Sequence, residues 1–93
     1  MKIPKILKVG GIIYTIEIVE KIDGAAAMIH FDEEKIRVQK AKEDFMNQAF
    51  WHEIFHAING ELRETDVEFL AVSLYQIIKD NPELFEKSKK NTS

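Results

Sequence analysis

From Ala49 to Ile58 the chain is apolar at every position except His52, Glu53 and His56. A segment of this kind folds as a helix buried almost all round, because no face of it is polar enough to lie against water. The three polar side chains therefore interrupt a core element, where each polar group left without a partner costs about a few kcal/mol. Their order is H-E-x-x-H, which on a helix sets two imidazoles one turn apart on one face, close enough to share a single tetrahedral Zn2+. Glu53, on the adjacent strip, is then placed to act as general base on metal-activated water and to pass the proton to a leaving amine. This pattern predicts a zinc metallopeptidase with His52 and His56 as metal ligands and Glu53 as the catalytic base.

The rest of the composition narrows the chemistry. With no cysteine among 93 residues, thiolate metal sites, disulfides and cysteine nucleophiles are excluded, so any metal site is made of histidine and carboxylate. The lack of cysteine also fits a reducing compartment, and the expected location is cytoplasmic. A net charge of −3 and a pI near 5.6 provide no electropositive footprint for nucleic acid or an anionic membrane. The expected partner is a protein or peptide substrate. Length and apolar content suit one domain with one core, expected over residues 1–86, with 87–93 as a flexible tail.

Periodicity predicts an α+β fold, with a small antiparallel sheet in the N-terminal half packed on an antiparallel helix pair. Between Ile3 and Glu20 apolar residues alternate with polar ones around Gly10-Gly11, which reads as a hairpin. A second strand pair is expected at Ala26 to Phe31 and Lys35 to Gln39, joined by Asp32-Glu33-Glu34. The later of these strands is a candidate sheet edge for an extended substrate. After Ala41 the period becomes helical and ends at Asn59-Gly60. A second helix is expected from about Thr65 to Lys79, with Val67, Leu70, Ala71, Leu74 and Ile78 facing the core and Asn81-Pro82 closing it. A brief helical turn then holds Leu84 and Phe85.

A catalytic zinc site usually has three protein ligands, so one more is needed. His30, in a strand beside a charged turn, reads as a surface residue. The acidic start of the second helix offers Glu64, Asp66 and Glu68. In an antiparallel helix pair rising about 1.5 Å per residue, Glu68 comes level with His56 and Glu64 lies about one turn nearer the connection. Glu68 is therefore the preferred third ligand. The competing role for it is a capping box, Thr65-Asp66-Val67-Glu68, which would leave Glu64 or Asp66 to close the site. Tyr75, two turns beyond Glu68, is a candidate catalytic residue that could donate to an oxyanion, or else fills the edge of the core.

The segments Trp51-His52-Glu53-Ile54-Phe55-His56-Ala57-Ile58, Val67-Glu68-Phe69-Leu70-Ala71, Leu74-Tyr75-Gln76 and Asp80-Asn81-Pro82, with Ile29-His30-Phe31-Asp32 and Ile36-Arg37-Val38 upstream, resemble the ImmA/IrrE-like metallopeptidases. The similarity is greatest to the short phage-encoded members. The resemblance implies a minimal zincin domain with zinc held by two histidines and a downstream glutamate, and cleavage of a regulatory protein, since members of the wider family are associated with cleaving repressors. The alternative to an enzyme is a protein-interaction module that keeps the zincin fold without catalysis; retention of Glu53 favours the enzyme, because a structural zinc site has no need of a base.

Overall fold

The computed structural model describes residues 2–85. Four strands are followed by two helices, β1 (Ile6–Val9), β2 (Ile12–Val19), β3 (Ala27–His30), β4 (Lys35–Gln39), α1 (Glu43–Ile58) and α2 (Glu64–Asp80), with a closing 3-10 turn at Pro82–Phe85. The fold is α+β, as the change of period near Ala41 requires. The expected tail at 87–93 lies outside the described residues.

Gly10 and Gly11 both have positive φ, 59° and 91°, and Val9 pairs with Ile12 across them. A two-residue turn with φ above zero at both positions matches the twist of the strands it joins, so the expected β1–β2 hairpin forms there. β3 and β4 pair antiparallel, also as expected, around a tight turn in which the Glu34 amide donates to the Phe31 carbonyl at 3.2 Å.

The sheet as a whole is mixed rather than antiparallel throughout. Its order is β1-β2-β4-β3, and β2 runs parallel to β4. The chain leaving β2 passes over the place that β4 will take and enters β3 at the far edge. β4 then folds back into the gap between them, which makes it parallel to β2. Gln39 secures this crossover, since its Oε1 accepts from the Ile22 amide at 2.7 Å. As a result β4 is interior and cannot serve as the substrate edge; β3 holds that position.

Tyr14, Ile16, Ala27, Ile36 and Val38 on one sheet face pack with Phe50 and Ile54 of α1 as the main core. α1 is thus the central element, with the sheet on one side and α2 on the other; among the described residues α2 touches no strand. The buried face of α2 is Val67, Ala71 and Tyr75, spaced four apart. This is rotated from the expected face, so that Leu70 is partly exposed, because α2 has a single neighbour and needs only a narrow apolar stripe. Among the described residues no helix is long and apolar enough to cross a membrane.

Candidate metal centre

α1 is packed between the sheet and α2, and His52, Glu53 and His56 open onto a cleft between β3 and the start of α2. The imidazoles stand 4.9 Å apart, centre to centre, and their Nε2 atoms are 3.2 Å apart. The α1–α2 connection is tight, with Asn59 Oδ1 accepting from the Glu61 amide at 3.0 Å and the Asn59 carbonyl from the Leu62 amide at 3.2 Å. α2 consequently begins at Glu64, whose carboxylate faces both rings. One oxygen is 2.9 Å from His52 Nε2 and the other 2.9 Å from His56 Nε2.

The three contacts suit a shared cation. An ionised carboxylate only accepts, so both imidazoles would have to carry a proton on Nε2 to bond Glu64, and the 3.2 Å contact between the two nitrogens would then set donor against donor. A cation between the three groups removes the conflict. Tetrahedral zinc with ligands at about 2.0–2.1 Å separates its donor atoms by about 3.3 Å, close to the spacing already present. His52, His56 and Glu64 each offer a ligand atom within 4.8 Å of the others, and nitrogen and carboxylate donors are those that zinc takes.

Glu68, the residue preferred from the sequence as third ligand, has a different position. Its carboxylate accepts from His52 Nδ1 at 3.0 Å, on the side of the ring away from the triad. By doing so it holds the ring with Nε2 toward Glu64. The helix pair is slipped by one turn from the expected register, so Glu64, not Glu68, comes level with His56. The capping box is not formed either: Arg63 occupies the N-cap position of α2 with no side-chain cap bond, which leaves Glu68 free for His52. Asp66 is engaged by Arg63 Nε at 3.1 Å. His30 lies in β3 and is not in the cluster.

Tyr75 is not at the triad. It is buried, 3 % exposed, and its hydroxyl donates to Asp44 Oδ1 at 2.7 Å near the start of α1. Lys79 Nζ also reaches Asp44, at 2.9 and 3.0 Å. Tyr75 is seven residues beyond Glu68, which along a helix is about 10 Å, too far for its hydroxyl to meet a group bound at His52. Hydrogen bonds from Lys79 and Tyr75 hold the Asp44 carboxyl below its usual range, while burial and then Asp44 push the Tyr75 phenol up to about 12.

Glu53 is partly buried, and that desolvation raises its carboxyl above the ordinary value; His52 and His56 oppose the rise, Glu64 adds to it, and a hydrogen bond from the Ile29 amide lowers it. Glu53 thus borders the sheet edge at Ile29, a link that sequence periodicity does not contain. The cleft, of about 460 Å³, is lined by the triad, Glu53 and Glu68 together with Ala25, Ala27, Phe45, Gln48 and Ala49. The run Ala25-Ala26-Ala27 was the available sequence signal for it. Comparison with family models, curated proteins and solved structures finds no match.

Proposed function

We propose that this chain is a cytoplasmic zinc-dependent peptidase of the ImmA/IrrE-like kind, acting on a protein or peptide substrate. The observation that carries the reading is the convergence of His52, His56 and Glu64 beside a partly buried Glu53 in an open cleft. When bound, zinc supplies a Lewis acid that polarises the scissile carbonyl and lowers the pKa of water to about 7. His52 and His56 would hold it through Nε2 and Glu64 through a carboxylate oxygen. Glu68 orients His52 from behind.

Glu53 has the work of proton transfer. Its carboxylate accepts the proton released by the attacking water and returns it to the nitrogen of the departing amine. A base does this best when its pKa lies near the working pH, and the upward shift from burial moves Glu53 in that direction. Substrate alignment falls to β3. The Gln39 amide bonds the Ala26 carbonyl, so in the antiparallel alternation Ala27 and Ile29 turn their backbone groups away from β4 and toward the cleft. The Ala27 and Ile29 backbone groups are then placed to pair with an extended peptide beside Glu53.

The test is zinc-dependent cleavage of a mixed peptide library, read by mass spectrometry, with parent and Glu53→Gln compared at equal zinc content. Cleavage by the parent and its loss in Glu53→Gln supports the peptidase. Zinc binding with no cleavage by either protein supports the non-catalytic interaction module instead.

A further inference from the structure

The cleft beside the triad is larger than zinc and a backbone need, and its far wall has an unusual construction. Ala25 and Ala27 occupy the positions at the start of β3 that face α1, and Ala49 and Gln48 of α1 stand opposite. Facing positions in a packed layer normally fill the space between them, and voids larger than a water are few. Here small side chains on both elements leave the space open. Phe45 closes its end, with half of its surface exposed (53 %) although it borders this hollow. The carboxylates Glu53, Glu64 and Glu68 line the cleft, and no Lys or Arg does.

We propose that this hollow is the specificity subsite of the enzyme, taking a bulky apolar side chain of leucine or phenylalanine size next to the scissile bond and rejecting acidic ones. The proposal rests on the peptidase reading, since the triad fixes where the scissile bond lies. Ala25 and Ala49 set the depth of the subsite and Phe45 is its apolar wall. An apolar side chain entering it leaves water and covers Phe45 and the alanines, whereas a carboxylate would lose hydration with no Lys or Arg lining the cleft to meet it and with Glu53 close by.

The experiment uses hydroxamates, which share one zinc-chelating head and differ in their tails. Acetohydroxamate and the hydroxamates of 4-methylpentanoic, 3-phenylpropanoic and succinic acids are titrated into the zinc-loaded full chain by calorimetry. The two apolar tails are expected to bind about tenfold or more tighter than acetohydroxamate, and the acidic tail no tighter. Ala25→Phe, which fills the hollow, removes that advantage while zinc content and acetohydroxamate affinity stay as in the parent. Phe45→Ala, which enlarges it, weakens the apolar tails and tests the same wall should Ala25→Phe fail to fold. Equal affinity for all four compounds, tighter binding of the acid, or an advantage that survives in the folded variants overturns the subsite and leaves the peptidase reading standing. A parent that binds no zinc overturns both.

Discussion

Replacing Tyr75 with phenylalanine separates the two roles its position allows. The ring is 3 % exposed and stays in place, so no cavity is created and the only loss is the 2.7 Å hydrogen bond from the hydroxyl to Asp44. Hydrogen bonds to charged groups contribute about 1.5–3 kcal/mol. This acceptor has a side chain that is 57 % exposed and keeps Lys79 at 2.9 Å, and water can take the vacated place, so the expected cost is at or below the foot of that range, about 1 kcal/mol. For a domain of this size that lowers Tm by about 4–8 °C, measured by thermal denaturation followed by circular dichroism. Zinc content and the rate of peptide cleavage should both match the parent at a temperature where each protein is folded. A tenfold or larger fall in rate with zinc and folding intact would put the hydroxyl on the reacting atoms and refute the placement of Tyr75 with Asp44.

The other expectations concern the site and its pH dependence. Glu53→Gln should retain one zinc and lose about 10²–10⁴-fold in cleavage rate, measured in single-turnover assays. Glu68→Gln should weaken zinc binding by about 10–100-fold, because it loosens His52 without removing a ligand, and competition with a chromogenic chelator measures this. Glu64→Gln should weaken it more. The Tyr75 phenol, raised in the folded chain from 10.0 to about 12, contributes stability that is complete below pH 10 and is lost as pH rises toward 12. The lowered Asp44 carboxyl acts at the other end, contributing above its ordinary 3.8 and losing that contribution as pH falls below it. The stability difference between parent and Tyr75→Phe, from denaturant titrations, should therefore be steady through neutral pH and shrink at both extremes.

The sequence carried the helices and turns well because their signals are local. The Gly10-Gly11 turn, the stop at Asn59 and the H-E-x-x-H spacing each depend on neighbours within a few residues. Strand direction does not have such a signal: the alternation in Ile16-Glu17-Ile18 and Ile36-Arg37-Val38 has the same period whether the two strands run parallel or antiparallel, so the mixed sheet and the exchange of β4 for β3 at the edge could not be read from it. The helix register, which sets Glu64 rather than Glu68 opposite both Nε2 atoms, differs from the expected one by a helical turn for a related reason. Rise per residue fixes how far Glu64 and Glu68 lie from the connection, but the slip between the helices depends on the Asn59–Leu62 turn, and one turn exchanges a residue facing both Nε2 atoms for one facing Nδ1. Tyr75 shares a helical strip with Glu68, yet its distance from the triad and its bond to Asp44 come from packing between elements 31 residues apart in the chain.

The central claim is that His52, His56 and Glu64 together hold one zinc, and native mass spectrometry of the zinc-reconstituted protein tests it directly. The parent should carry one zinc, His52→Ala and Glu64→Ala none, and Glu68→Ala one at saturating metal. A parent without stoichiometric zinc, or a Glu64→Ala variant that keeps it while Glu68→Ala loses it, would contradict the account.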